Sequence, residues 1–319
     1  MENGSSKSQA LGEFEDALAF LERSCLPWLE RAQNEDGGWG FAPGSLSRVE
    51  PTSWALLALE EFRPSACGDR GLGFLQGSQL GDGSWPAVAG EKKGSWVTSI
   101  ACLALCRRPE ASNVVARGLR WLTEEWPGDS GWRWRLLRRL AVRGRVERRN
   151  DAYCGWSWTA RTASWVEPTS YAVLALDGSP PDLVPAKARL RLQLAESMLY
   201  ERMCSGGGWN CGNPMVYGVP GEPQVGPTVW ALLALRRNPE RPEIQQSLDW
   251  LEKNWNRVSS PAGAALSAIA LDVLGRRNSI SRTSLRNFRE NDQTFCNVPV
   301  AAWTALALSK QRNWLRNHA

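Results

Sequence analysis

A short pattern that joins a helix, a glutamine and a glycine–tryptophan turn limits the folds that this chain can adopt. The clearest copy spans Arg70–Trp85, where a helical apolar face leads to Gln79 and a glycine-rich turn leads to Trp85. An earlier copy has the same order, with Gln33 before a turn that ends at Trp39. An apolar segment follows each turn. A helix–turn–helix unit that recurs in this way predicts an architecture of stacked repeats.

Three weaker copies follow, and each keeps only part of the pattern. They are Arg117–Trp132, which has Trp126 at the glutamine position, then Gly207–Trp209 and Trp250–Trp255. No strand-like alternation of useful length appears between them. The chain is therefore predicted to be all-α.

Six pairs of helices are predicted, each with a mixed first helix and an apolar second helix. The pairs are Glu13–Gln33 with Pro51–Leu59, Arg70–Gln79 with Val97–Cys106, Asn113–Trp126 with Pro168–Leu176, Pro185–Met203 with Pro227–Leu235, Pro242–Val258 with Pro261–Leu274, and Ser281–Arg289 with Val298–Leu308. Helices that are apolar nearly all round must be buried, which favours a closed ring over an open array. We expect an (α/α)6 toroid over residues 13–319, a disordered tail at 1–12, and an insertion at 127–166.

The repeated pattern resembles the QW motif of the squalene–hopene and oxidosqualene cyclases, within the prenyltransferase and squalene-cyclase repeat superfamily. The resemblance covers nearly the whole chain from about Glu13. It implies an (α/α)6 barrel with a cavity at one end of the inner helices. The triterpene cyclases have two barrels, whereas 319 residues suffice for one. The cavity between domains must then be absent or completed by another chain, as in a homodimer.

The resemblance also implies an acid at the start of an inner helix. Class II terpene cyclases protonate their substrate with an Asp-x-Asp-Asp motif, which this sequence lacks. The aligned segment places Glu50 at the acid's position, and a second copy places Glu167 there, while a third copy has Gly226. Two carboxylates at the rim of one cavity would have raised pKa values and could act as general acids. Alternatively, Glu-Pro-Thr only begins a helix, whose dipole favours the carboxylate anion.

Aromatic residues supply the remaining candidates for substrate contacts. The chain has 18 Trp, against 7 Phe and 4 Tyr. Aromatic faces around an apolar cavity would suit an isoprenoid and stabilise carbocations; the alternative is that indoles such as Trp39, Trp85 and Trp132 staple neighbouring repeats. Polar groups in the loop 206–226 either orient a substrate or bond to their own turn. The predicted substrate-binding residues are Trp54, Tyr171, Trp230, Trp96, Trp165, Tyr217 and Asn210.

The basic charge of the chain is concentrated in one segment. The net charge is +5, but Arg133–Arg149 alone contains eight arginines and one acid, so the remainder is slightly acidic. The segment is interpreted as a basic helix on an anionic membrane surface, as a clamp for a diphosphate, or as a solvated charged helix. Nucleic-acid binding is disfavoured because the rest of the chain offers neither positive charge nor a recognised motif.

Cysteine and histidine usage gives expectations about compartment and cofactor. The eight cysteines include no Cys-x-x-Cys pair, and the first ten residues are polar. We therefore expect reduced thiols and a cytoplasmic protein, at most peripheral on a membrane. The single histidine is His318. Neither a metal nor another cofactor is expected, although a zinc site built from cysteines alone remains an alternative.

Three functions are compatible with these features. The first is a class II terpene cyclase-like isomerase, free of cofactors, that cyclises or isomerises an isoprenoid with Glu50 or Glu167 as the acid. The second is a barrel that binds an isoprenoid or lipid without catalysis. The third is a scaffold that binds protein. A fold of this kind does not by itself select among them.

Overall fold

The computed structural model describes residues 19–62, 64–131, 152–216, 218–257, 260–276, 296–309 and 313–315. Helices dominate these residues, and the strands among them are the antiparallel pair β1 (Met215–Val216) and β2 (Val219–Pro220). This confirms the all-α class. None of the helices in the described ranges combines the length and the apolar character that crossing a membrane requires.

Mixed and apolar helices alternate along the chain as the sequence predicts. Helices α1, α3, α5, α7 and α9 are the mixed ones, and the others are apolar. In chain order they are α1 (Leu26–Arg31), α2 (Val49–Phe62), α3 (Ala66–Gly77), α4 (Val97–Leu105), α5 (Ser112–Glu124), α6 (Val166–Gly178), α7 (Ala188–Glu201), α8 (Val225–Ala234), α9 (Pro242–Asn254), α10 (Pro261–Val273) and α11 (Val298–Leu308). The predicted helix Ser281–Arg289 lies outside the described residues.

Burial separates the two classes of helix. Every residue of α4 is buried, so this helix has no face left for solvent. Helix α5 instead buries Val115, Leu119 and Leu122, which recur at helical spacing on one face, and exposes Arg120 on another. A single apolar stripe is typical of a helix that covers a core from outside. The apolar helices are thus the inner ones.

The chain divides into two compact units. The first comprises Met1–Leu75 and Asn256–Asn313, and the second comprises Gln76–Trp255 and Trp314–Ala319. In the second unit α4 packs against α6, and α6 against α8. In the first unit α11 packs against both α10 and α2. The first and last inner helices of the chain, α2 and α11, are therefore in contact within the first unit.

One hydrogen bond ties an inner helix to the turn before it in four repeats. A threonine hydroxyl in the first turn of the helix accepts the backbone N–H of the turn tryptophan at 2.9 Å. All four tryptophans are buried, so they staple the repeats, as one of the two interpretations of Trp39 and Trp85 predicted. The pairs are Trp39 with Thr52, Trp85 with Thr98, Trp156 with Thr169, and Trp209 with Thr228.

The two glutamines of the full sequence copies join each turn to the next outer helix. The side-chain nitrogen of Gln33 donates to one carbonyl in its own turn and to a second on helix α3. Gln79 does the same with its own turn and helix α5. The four bonds are 2.8–2.9 Å long and end on the carbonyl oxygens of Gly37, Cys67, Gly83 and Val114.

Glycine is required where these turns approach the next outer helix. Gly37, Gly83 and Gly207 have φ values of 84°, 92° and 90°. A Cβ atom on any of them would lie 2.6–2.8 Å from a backbone carbonyl oxygen of the next outer helix. Both the positive φ and the close contact exclude a side chain here.

The third repeat takes its turn tryptophan from a later position than the sequence pattern predicted. Trp156, rather than Trp132, donates its backbone N–H to Thr169. Its indole nitrogen also donates to the carbonyl oxygen of Leu122 at 2.9 Å. Trp132 lies outside the described residues. The long insertion separates helix α5 from this turn tryptophan, so the third repeat departs from the short spacing of the first two.

A buried arginine replaces the missing glutamine in this repeat. The guanidinium of Arg191, only 1% exposed as a residue, lies 4.2 Å from the ring centroids of both Trp126 and Trp156. It donates to the carbonyl oxygens of Gly155 at 2.9 Å and Glu125 at 3.2 Å. Burial lowers the pKa of Arg191. Cation–π contacts with two rings offset part of that desolvation.

We expect Thr98→Val to destabilise the protein by about 1–3 kcal/mol. Valine has nearly the shape of threonine but no hydroxyl, so the backbone N–H of Trp85 loses its buried hydrogen-bond acceptor. The measurement is the urea midpoint followed by circular dichroism. Thr98→Ser keeps the hydroxyl and is the matched control, with a midpoint near the wild-type value. Equal midpoints for the valine variant and wild type would contradict a stabilising role for this bond.

Candidate active site

The two predicted acids occupy equivalent places in different units. Glu50 lies in the first turn of α2 and Glu167 in the first turn of α6, and both residues are half-buried. Glu50 belongs to the first unit and Glu167 to the second. Their meeting at the rim of one cavity therefore stays a prediction.

The carboxyl group of Glu167 lies against the first turn of α8. A Cβ atom built on Gly226 would be 3.7 Å from Oε1 of Glu167. Gly226 is the position at which the third sequence copy lacks the acid. A glutamate there would bring two carboxylates together, and like charges at that range disfavour ionisation of both. Glycine at this position keeps Glu167 without a competing acid.

Burial sets the protonation of Glu167. It raises the pKa of this carboxyl, and no second cause contributes. The N-terminal end of α6 would favour the anion, so desolvation outweighs the helix dipole. The thiol of Cys211, which donates to Oε1 of Gln224 at 3.2 Å, has a pKa raised by burial and then by the charge of Glu167. Glu167 thus keeps its proton to a higher pH than an ordinary glutamic acid, a property that suits a general acid.

Four aromatic rings form a continuous row beside this acid. Trp158 meets Trp96 edge to face at 4.9 Å, and Trp96 stacks on Tyr171 at 5.4 Å. Tyr171 then meets Trp230 edge to face at 4.9 Å. Trp158 and Trp96 are half-buried, whereas Tyr171 and Trp230 are buried. The row therefore leads from a partly accessible end into the core.

Helical spacing places the acid one turn from the aromatic row. Tyr171 follows Glu167 by four residues on α6, and Trp230 follows Gly226 by four residues on α8. Residues four apart are neighbours on one face of a helix. Glu167 thus shares a helical face with Tyr171, and aromatic rings stabilise nearby positive charge.

The first unit repeats this spacing around Glu50. Trp54 follows Glu50 by four residues and is fully buried. It packs edge to face on Trp303 of α11, with 5.7 Å between the ring centroids. Trp303 was not predicted, because the first turn of α11 lacks the threonine that marks the equivalent positions in other inner helices.

Asn210, a predicted site residue in the loop before α8, forms hydrogen bonds within that loop. The amide nitrogen of Asn210 donates to the carbonyl oxygen of Asn213 at 2.7 Å, and its oxygen accepts the N–H of Gly212 at 3.1 Å. Trp165, 37% exposed, covers Gly212 so closely that a Cβ there would be 3.1 Å from its ring. Substrate contacts by Asn210 and Trp165 stay predictions, and Tyr217 lies outside the described residues.

Two further residues of the site, Trp158 and Cys211, are not among the substrate-binding residues predicted from the sequence. Trp158 extends the aromatic row, and its signal was its place two residues after the turn tryptophan. Cys211 approaches Glu167 because the N–H of Val166 donates to its carbonyl oxygen at 3.0 Å. No sequence signal marks that contact.

The thiols and basic residues bear on the other sequence expectations. The described residues hold no group of three potential ligands arranged for a metal ion. Burial raises the pKa of the Cys106 thiol to about 11 and that of Cys102 still further, so both are poor nucleophiles. The segment Arg133–Arg149 lies outside the described residues.

Comparisons with known proteins show a shared fold. No protein-family model and no curated protein matches the sequence. A variant of the type II terpene cyclase MstE from Scytonema, in complex with merosterolic acid A, matches with a TM-score of 0.58 at 13% identity, covering 94% of this chain and 97% of that chain. Apo MstE matches with a TM-score of 0.51 at 16% identity, covering 89% and 79%.

A reducing-end-xylose releasing exo-oligoxylanase complexed with xylose matches equally well, with a TM-score of 0.58 at 10% identity over 96% of each chain. Identities this low show the fold alone, and they confirm the α/α-toroid class. A terpene cyclase and a glycoside-cleaving enzyme share it, so the fold does not select the chemistry.

We expect Glu167→Gln to become more stabilising as the pH rises. The ordinary pKa of a glutamate is about 4.3, and the folded-state pKa of Glu167 is raised. Wild type therefore loses stability as the pH increases from about 4 through the folded-state pKa, whereas glutamine has no charge to desolvate. The melting-temperature difference, variant minus wild type, should grow between pH 4 and pH 8.

Thermal unfolding at pH 4, 6 and 8 makes this measurement. Glu124→Gln, on the exposed face of α5, is the matched control and should show no comparable growth. A constant difference for Glu167→Gln would contradict a desolvated carboxyl group.

Proposed function

We propose that this protein is a type II terpene cyclase-like isomerase that acts on an isoprenoid without a cofactor. The observation that supports this most directly is the half-buried Glu167, whose pKa is raised by burial, one helical turn from the row of Trp158, Trp96, Tyr171 and Trp230. An acid beside aromatic faces is the combination that proton-initiated cyclisation needs.

The proposed reaction begins with transfer of the Glu167 proton to an alkene carbon. A C–H bond forms as the π bond breaks, and the electron-deficient carbon is stabilised by the aromatic faces. Attack by a second double bond closes a ring, and loss of a proton from the final cation to a base gives a product isomeric with the substrate. Glu50, above Trp54 in the first unit, is the second candidate acid.

The similarity to MstE supports this proposal at the level of the scaffold. That protein is a type II terpene cyclase, and its structure holds merosterolic acid A as product. A glycosidase role is less well supported. No neighbouring carboxylate is among the causes of the raised pKa of Glu167, so that pKa gives no support to the paired carboxyl groups that glycoside hydrolysis uses.

A non-catalytic isoprenoid-binding barrel is the second candidate. It is favoured by the absence from the sequence of the Asp-x-Asp-Asp motif with which class II terpene cyclases protonate their substrate.

Placement in the cell forms a further part of the proposal. An isoprenoid substrate partitions into lipid, so a cyclase gains from residence at a membrane surface. The eight arginines of Arg133–Arg149 would bind an anionic surface electrostatically. A homodimer would supply a wall that a single barrel lacks.

The test is incubation of the full chain with squalene, oxidosqualene and geranylgeranyl diphosphate, followed by lipid extraction and mass spectrometry. We expect a cyclised isomer of one substrate from wild type. Glu167→Gln should lower its rate by about 10²–10⁴-fold, the usual contribution of a general acid. Glu124→Gln is the matched control and should retain the rate, and Glu50→Gln tests the second acid.

Each other outcome has a defined meaning. Product formation that survives Glu167→Gln would remove Glu167 from the reaction. Substrate that co-purifies unchanged with the protein would favour the carrier. The absence of both turnover and binding would contradict both candidate functions.

A further inference from the structure

A cavity lies at the opposite end of α6 and α8 from Glu167. Its volume is about 520 Å³, within the range of about 300–1,000 Å³ that is typical of small-molecule sites. The last turns of α6 and α8, one face of α7 and the loop between α6 and α7 enclose it. Glu167 begins α6, whereas Asp177, in this cavity's wall, nearly ends it. The proposed cyclase chemistry uses none of these lining residues.

Apolar side chains form much of the cavity wall. Leu176 comes from α6, Leu192 from α7 and Leu235 from the end of α8. The connecting loop adds Val184 and two prolines. Proline restricts the backbone of that loop. These surfaces suit an apolar ligand body.

A buried ion pair stands in the same wall. The Asp177 side chain is 8% exposed, and its Oδ2 lies 2.9 Å from Nε of Arg237 and 3.9 Å from Nη1 of Arg236. Burial raises the pKa of Asp177 although both guanidiniums lower it, and burial lowers the pKa of Arg236. A buried pair of this kind contributes little net stability, because desolvation offsets the attraction.

The pair does hold one cation at the cavity surface. The Arg237 side chain is 54% exposed, and only its Nε contacts Asp177. Within the described residues, no acceptor meets its two terminal nitrogens. Arg189 lines the same cavity, is exposed, and likewise has no acid partner in the described part of the chain. Two guanidiniums with unused N–H groups are the preferred partners of carboxylates and phosphates.

The charged residues of the cavity wall balance in number. The acids are Asp177 and Glu196, and the bases are Arg189 and Arg237. Asp177 contacts Arg237, and Glu196 accepts a hydrogen bond from Nδ2 of Asn238 at 3.0 Å. The capacity of the wall to bind an anion therefore rests on the unused N–H groups of the two guanidiniums.

We propose that this cavity binds an amphipathic anion. Its carboxylate or phosphate head contacts Arg189 and Arg237, and its apolar chain lies against Leu176, Leu192 and Leu235. Asp177 is a positioning residue that orients Arg237.

Isothermal titration calorimetry of the full chain tests this with octanoate, octyl phosphate, octylamine and octanol. The two anions should bind, and the tighter one identifies the preferred head group. Octylamine and octanol should bind at least about tenfold more weakly, because hydrogen bonds to charged groups contribute that much. Arg189→Gln and Arg237→Gln should each weaken anion binding by a similar factor.

Two further variants separate ligand contact from structural damage. Leu192→Trp places an indole in the apolar wall where the ligand chain is proposed to lie, keeps both arginines, and should weaken binding. Arg120→Gln, an exposed arginine on α5, is the matched control and should bind as wild type. Glu167→Gln should also bind as wild type, which separates this site from the proposed cyclase site.

Three results would overturn the proposal. The first is that octylamine binds as tightly as the anions. The second is that neither anion binds. The third is that anion affinity is unchanged in Leu192→Trp or in the combined arginine variants.

Discussion

The hydrogen bond between a threonine hydroxyl and a tryptophan backbone N–H determines much of the rest of this structure. It fixes where an inner helix begins relative to the turn before it. Once Thr169 is fixed, the residue two positions earlier lies at the N-terminal end of the helix. The residue two positions later lies about one turn further along the helix. Glu167 and Tyr171 occupy those places, as Gly226 and Trp230 do around Thr228. A bond that stabilises the scaffold therefore also sets the geometry of the candidate site.

Pairwise charge, rather than desolvation, distinguishes the two ends of helix α6, because both of its acids are desolvated. At its start, Glu167 is buried with no cation that lowers its pKa. Near its end, Asp177 is also buried, but two guanidiniums partly compensate. The first arrangement favours a neutral acid that can give up a proton. The second favours fixed charges that can bind a ligand. One helix thus presents two different electrostatic environments about ten residues apart.

Sequence reasoning succeeded where composition decides burial and failed where contact depends on distant segments. The inner helices were predictable because a segment such as Val97–Leu105 has no polar face to expose. The equivalence of Tyr171 and Trp230 was predictable from their shared distance to a threonine. The place of Trp156 was not, because an insertion interrupts the spacing. Nor was the meeting of Asp177 with Arg237, since sixty residues separate them in sequence and neither belongs to a motif.

The distance between the turn tryptophan and its threonine differs between repeats. It is 13 residues in three repeats and 19 in the fourth, where the extra residues carry the β1–β2 hairpin. The hydrogen bond is nevertheless 2.9 Å in all four. The length of the loop before an inner helix can thus change without altering the hydrogen bond that holds the start of that helix. A lineage built on this scaffold can lengthen one loop, and so acquire a new specificity, without having to evolve a new core.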